Sequence, residues 1–326
     1  MNLILDSFHC LSAERTIIVP KYPVHQDFIK YSRFTRYPFS RPLFRLVNPV
    51  LNLFRPGPDR LTDVVKHTVP GYGGTAIHGF MISPRDLTGT APCLVYFHGG
   101  GFLIEAAPCH YSIVRRYASL ARCRVFFVDY RLTARFSYPT PMEDCFAAYR
   151  WLLTHADALQ TDAAKVAVGG DSAGGNLAAA VALMARDRLI RLPRFQLLVY
   201  PVVSRRMDTA SMCEYSDTPL WNSRLNRKMW DFYLRGARKT DILPYTSLLD
   251  ASSLADLPDA YIETAEFDCL RDEGIQYARA LEIAGAHVEL NQVSGTIHGF
   301  DLNRKSVVTQ RCILRRAEAL LKAFRD

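Results

Sequence analysis

The 326-residue chain is 49% hydrophobic and 22% charged, the balance of a soluble globular enzyme and not of a disordered or fibrous protein. No apolar run is long enough to span a membrane, and the net charge of +8 comes with no zinc-finger or RNP motif, which excludes a membrane-spanning helix and gives no support to nucleic-acid binding. The length suits one large domain carrying an added cap.

The amino end, residues 1–11, has no basic n-region and is interrupted by Asp6, so it reads poorly as a signal peptide. The eight cysteines show neither paired nor metal-type spacing, and several fall in expected strands and helices, where free cysteine acts as a small hydrophobe. That usage fits a reducing compartment and predicts a cytoplasmic protein.

Residues 1–60 differ in character from the remainder of the chain. They hold 9 basic and 4 acidic groups, net +5, and residues 201–245 hold 8 and 5, net +3. Phe28, Tyr31, Phe34 and Tyr37 recur every three residues among Lys30, Arg33 and Arg36, while prolines 38, 42, 49, 56 and 58 are expected to break any helix into short pieces. This segment reads as one or two amphipathic helices. A cap lying over a catalytic domain is favoured over a membrane-docking surface, because the prolines leave no long amphipathic stretch.

From residue 61 strands alternate with helices. Strands are expected at 63–69 and 75–83 around a turn at 71–74, then at 93–97, 125–129, 165–169, 195–200, 260–265 and 287–293. Helices are expected at 111–121, 143–155, 175–185, 273–284 and 305–324. Residues 201–245 lose the strand rhythm and read as a helical insertion. Apolar strands alternating with helices imply a mostly parallel central sheet covered on both faces. The division is a cap segment at 1–60, a catalytic domain at 61–200 and 246–326, and a cap insertion at 201–245.

The chain is organised around Gly170-Asp171-Ser172-Ala173-Gly174, set between an apolar strand and a helix of strong formers. Strand, tight turn and helix with serine at the apex is the context of a nucleophile elbow. A serine hydroxyl needs a base, an acid to orient the base, and donors for the oxyanion. His98-Gly99-Gly100-Gly101-Phe102, at the end of another strand, offers backbone N–H groups that could join that of Ala173; His98 itself reads as structural. Asp268 follows a strand end and is favoured as the acid over Glu266 and over Asp272, which reads as a helix N-cap. His298, after the last strand and beside Gly299, is favoured as the base among nine histidines.

Taken together, His98-Gly99-Gly100-Gly101, Asp129-Tyr130-Arg131-Leu132, Gly170-Asp171-Ser172-Ala173-Gly174-Gly175-Asn176, Asp268-x-Leu270-Arg271-Asp272-x-Gly274 and His298-Gly299-Phe300 resemble the hormone-sensitive-lipase-like α/β-hydrolases, in their bacterial carboxylesterase branch. The resemblance runs from about residue 61 to the carboxyl end. It implies an α/β-hydrolase fold with a helical cap, a Ser172–His298–Asp268 triad, and an oxyanion hole formed by the N–H groups of Gly100, Gly101 and Ala173. Two positions depart from the family pattern. Thr133-Ala134-Arg135 stands where the family commonly reads Ala-Pro-Glu, and Cys269 stands where proline usually follows the acid.

The expected function is a serine carboxylesterase acting on short-to-medium acyl esters through an acyl-enzyme, with a small-molecule ester as partner and no metal or organic cofactor. A membrane-associated lipase, an acyltransferase and a non-catalytic ligand-binding receptor on the same fold are the alternatives. A homodimer is left open.

Overall fold

The computed structural model describes residues 21–238 and 244–325. The readings made for residues 1–20, Cys10 included, and for 239–243 of the insertion lie outside the described residues.

Eight strands among the described residues form one sheet: β1 (Thr62–Pro70), β2 (Ala76–Pro84), β3 (Ala91–Phe97), β4 (Arg124–Asp129), β5 (Thr161–Asp171), β6 (Gln196–Val199), β7 (Ala260–Phe267) and β8 (Val288–Ile297). Their order is β1-β2-β4-β3-β5-β6-β7-β8. β1 and β2 pair antiparallel, as do β2 and β4, and every other neighbouring pair is parallel. The inner strands are buried on both faces, which explains their near-continuous apolar sequences. Side chains alternate between the faces: Val95 and Phe97 join one apolar core, and Leu94 and Tyr96 join the other.

Helices cover both faces. α1 (Arg41–Leu51) precedes the sheet; α2 (Pro108–Leu120), α3 (Thr140–Thr154), α4 (Ala173–Asp187), α7 (Arg271–Ile283) and α8 (Val307–Arg325) alternate with its strands, and α5 (Ala210–Glu214) and α6 (Ser223–Tyr233) lie within the basic insertion. In α4 every residue from Ala173 to Ala185 is buried, so small side chains let this helix lie close against the centre of the sheet.

The register levels the strand ends that matter. Phe97 pairs with Gly170, Asp171 with Val199, and Phe267 with Ile297. The next residues in sequence are His98, Ser172, Tyr200, Asp268 and His298. A parallel sheet thereby brings chemistry from five distant stretches of chain to one edge.

Two local expectations are corrected. α1 runs through Pro49, with Pro42 in its first turn and a 3-10 turn at Asn52–Phe54 after it, so Pro49 does not end the helix. Asp272 is not an N-cap. It lies inside the first turn of α7, accepts from the Ser211 N–H at 2.7 Å and pairs with Arg271. The aromatic period of three is explained at its start by a 3-10 helix at Gln26–Tyr31 that buries Phe28 and Tyr31.

The closing helix is held by a buried ion cluster. Arg316, 1% exposed, pairs with Asp301 at 2.7 Å and with Glu263. Tyr117 and Tyr200 add polar contacts at 3.1 and 3.2 Å to Arg316 and Asp301 respectively, and Glu263 also accepts from the Tyr261 hydroxyl at 2.7 Å and the Asn291 amide at 3.0 Å. Removing the cation strands two carboxylates in the core. Arg316→Met is therefore expected to cost about 3–5 kcal/mol of unfolding free energy in urea titration. A loss under about 1 kcal/mol would show that the cluster is not a structural anchor.

Candidate active site

β5 ends in Gly169-Gly170-Asp171, and the chain turns sharply into α4 at Ser172, whose φ of 55° and ψ of −121° are rare for a residue with a side chain. The turn is pinned by hydrogen bonds from the Ser172 N–H to the Val199 carbonyl at 2.9 Å and from the Val202 N–H to the Ser172 carbonyl at 3.1 Å. Side chains are excluded on both flanks. A Cβ on Gly174 would strike the Phe97 carbonyl, and one on Gly170 would strike the Gly174 carbonyl. The hydroxyl stands at the apex, with the free N–H groups of α4 behind it.

Ser172 Oγ lies 2.9 Å from His298 Nε2, and His298 Nδ1 lies 2.7 Å from Asp268 Oδ2. The other oxygen of Asp268 accepts the Leu270 N–H at 3.0 Å. Asp268 is fully buried, whereas Ser172 and His298 keep 5% and 6% exposure, which leaves the two reacting groups open to a small cavity. Tyr200 packs against the imidazole at 4.7 Å and Trp221 at 5.9 Å between ring centroids. The rival acids are engaged elsewhere: Glu266 accepts the Gly295 N–H at 2.6 Å, and Asp272 holds Ser211.

The glycine loop faces the same space. Gly100, at φ 106°, curls so that its carbonyl accepts the N–H groups of Leu103 and Ile104 at 3.1 and 2.9 Å, and a Cβ there would meet the Ile104 carbonyl at 2.6 Å. Gly100, Gly101, Ser172 and His298 border a cavity of about 320 Å³. Its walls are mainly apolar, with Phe34, Ile104, Ile113, Leu220, Trp221 and Leu302 among them. Ala173 is the first residue of α4 and is buried beside Ser172. All six residues singled out by sequence thus gather at one sheet edge. His98 stacks between Phe127 and Tyr130 and donates from Nδ1 to the Gly99 carbonyl at 2.7 Å. Burial lowers its pKa to about 3, so the ring is neutral. Among the described residues no group of three metal-ligating side chains comes together.

Sequence reasoning passed over Asp171, although it stands inside the elbow motif. Its Oδ1 accepts from the Tyr96 hydroxyl at 2.8 Å and from the Gly99 N–H at 3.0 Å, and its Oδ2 faces His110 Nε2 at 3.4 Å. The Ala107 N–H lies 3.0 Å from His110 Nδ1, so the other ring nitrogen is the one turned to Asp171. One carboxylate therefore ties the elbow to the glycine loop. The aromatic walls Phe34 and Trp221 were also not singled out as site residues, since nothing local in sequence marks a side chain that reaches the site from another segment.

Burial by itself would raise the Asp171 carboxyl, but His110 and the Tyr96 hydroxyl outweigh it and hold the pKa at about 2. A carboxyl with a depressed pKa supplies stability that is present above its unfolded value of about 3.9 and is lost as pH falls toward the folded value. Asp171→Asn should cost about 1–3 kcal/mol at neutral pH. The gap between variant and wild type should begin to close below about pH 4. Urea titrations at stepped pH test this, and a gap independent of pH would assign the loss to packing alone.

A family model described as the alpha/beta hydrolase fold matches residues 94–302. The chain is 36% identical over 239 residues to the carboxylesterase NlhH of Mycobacterium tuberculosis, covering 72% of this chain and 75% of that protein. It is 35% identical over 222 residues to an ethyl acetate hydrolase of Pseudomonas putida, covering 67% and 69%. Among solved structures, a thermostable esterase from Pseudomonas putida ECU1011 superposes with a TM-score of 0.84 at 30% identity, covering 96% of this chain and 99% of that one. The chain belongs to the α/β-hydrolase fold family, in its hormone-sensitive-lipase-like branch of carboxylic ester hydrolases.

Proposed function

We propose that this protein is a serine carboxylesterase in which Ser172 attacks the ester carbonyl, His298 moves the proton and Asp268 orients the histidine. The observation that carries the reading is the continuous line of hydrogen bonds from Asp268 Oδ2 through His298 to Ser172 Oγ, 2.7 and 2.9 Å long. His298 Nε2 takes the hydroxyl proton as Oγ bonds to the carbonyl carbon. The carbonyl oxygen becomes an oxyanion, and the N–H groups of Gly100, Gly101 and Ala173 receive it. Collapse of the tetrahedral intermediate expels the alkoxide, which takes the proton from His298. A water molecule then enters, gives a proton to His298 and attacks the acyl-enzyme, and the acid leaves with the proton returned to Ser172. Asp268 stabilises the imidazolium formed in both halves.

Ser172→Ala should abolish nearly all ester hydrolysis with an unchanged thermal midpoint, and an alkyl fluorophosphonate should label Ser172 in the wild type, read by peptide mass spectrometry. Labelling at another residue, or an active alanine variant, overturns the assignment.

Short-to-medium acyl esters are the proposed substrates. The cavity of about 320 Å³ and its apolar wall support this, as does the similarity to an ethyl acetate hydrolase. Residues 21–60 and the insertion supply Phe34, Tyr37, Leu220 and Trp221 to that wall, which supports reading both as a cap. With nitrophenyl esters, kcat/KM is expected to rise from acetyl to butanoyl or hexanoyl and to fall by palmitoyl. Trp221→Ala should lower kcat/KM for the preferred chain about tenfold or more, since even one methylene in an apolar pocket is worth about 10- to 200-fold. Equal kcat/KM at every chain length argues against a closed acyl pocket.

A further inference from the structure

The glycine loop carries its donors at Gly100 and Gly101, and the next four residues determine where those N–H groups point. Two carbonyls there, of Phe102 and Leu103, would be free in an isolated loop. Both are held by residues outside the elbow and the triad. Asn48, buried on the inner side of α1, donates from Nδ2 to the Leu103 carbonyl at 2.9 Å. Its Oδ1 accepts the Glu105 N–H at 3.1 Å. One amide thus closes on both sides of residue 104, and its orientation is set by the donor on one side and the acceptor on the other.

The second clamp is the loop that departs from the family pattern. The Phe102 carbonyl accepts two bonds from Thr133, one from its N–H at 2.8 Å and one from its hydroxyl at 3.0 Å. An alanine, common at this position in the family pattern, would supply only the first. The Thr133 and Ala134 carbonyls are in turn gripped from α1 by Arg41 Nε at 2.6 Å and Arg45 Nε at 2.8 Å. Asn48 and Thr133 are 7% and 0% exposed, so these bonds are sheltered from competing water.

We infer that Asn48, with Thr133, is a positioning residue for the oxyanion hole: α1 and the altered 133–135 loop hold the glycine loop in the shape that aims the Gly100 and Gly101 N–H groups at the developing charge. The N-terminal segment then contributes to transition-state stabilisation as well as to the cavity wall. This inference rests on the serine-esterase reading of the site.

The test compares wild type with Asn48→Leu, which removes both bonds at similar volume, Asn48→Asp, which keeps the acceptor and loses the donor, and Thr133→Val, which loses the hydroxyl alone. Loss of a whole oxyanion donor costs about 100- to 1,000-fold in kcat, so misaiming the donors should cost less, about 10- to 100-fold for Asn48→Leu. Thr133→Val should fall between that variant and wild type and Asn48→Asp, which turns a buried carboxylate oxygen on the Leu103 carbonyl, should lose at least as much as Asn48→Leu, with KM within about twofold throughout, because the loss falls on the transition state. An aryl trifluoromethyl ketone, whose adduct with Ser172 places an oxyanion in the same hole, should lose affinity in step with kcat/KM. Should the Asn48 variants fail to fold, Thr133→Val carries the same comparison. Unchanged kcat in the folded variants, or a rise in KM alone, overturns the inference. A wild type that hydrolyses no ester overturns the underlying reading instead, so the two failures are distinguishable.

Discussion

The backbone at Ser172 is the constraint on which the rest of this site depends. A positive φ on a residue with a side chain stores about 1–3 kcal/mol of strain and persists only where the surroundings over-determine it. Here they do: the Val199 carbonyl holds the serine N–H, the Val202 N–H holds its carbonyl, and Gly170 and Gly174 let β3, β5 and α4 come within backbone contact. The same strain lifts the hydroxyl clear of the sheet and starts α4 directly behind it. Exposure of the Ser172 hydroxyl and the placement of helix N–H groups are thus one geometric event.

Buried charge locks the elements around that turn. Asp171 joins three separate pieces, the elbow, the end of β3 through Tyr96, and the start of the glycine loop through Gly99. Arg316 does the equivalent work below the histidine. It holds Asp301, which holds Tyr200, and the Tyr200 ring lies against His298. A buried ionic group is costly to desolvate and strongly destabilising when a partner is lost, so these clusters favour one arrangement of the loops over near alternatives.

The N-terminal segment and the insertion lie outside or interrupt the repeating strand–helix pattern, yet both reach the site. Phe34 and Tyr37 meet Leu220 and Trp221 in the cavity wall, with the Tyr37 hydroxyl bonded to the Leu220 carbonyl at 2.8 Å. Phe39 packs on Trp221 at 5.4 Å between ring centroids, and Trp221 approaches Gly101 closely enough that no side chain fits there. Pocket shape and the glycine loop are therefore coupled, and changes in either segment bear on both.

Much of this was legible in the residues. The elbow, the glycine loop and the positions of Asp268 and His298 after strand ends depend on local rules, periodicity and turn chemistry that a linear sequence carries intact. The strand pattern likewise announced a parallel sheet, since only strands covered on both faces are apolar throughout. What the sequence could not express was contact between distant segments. Asn48 carries no local mark that sets it on Leu103 and Glu105, Pro49 was expected to end a helix that in fact continues, and Asp272 was expected to cap a helix but serves Ser211. By itself the sequence determined which residues could do the chemistry, because their types and spacing obey short-range sterics. Only the tertiary structure decided how they are aimed, because aim depends on hydrogen bonds and packing between residues dozens to hundreds of positions apart, whose partners are chosen by the whole fold.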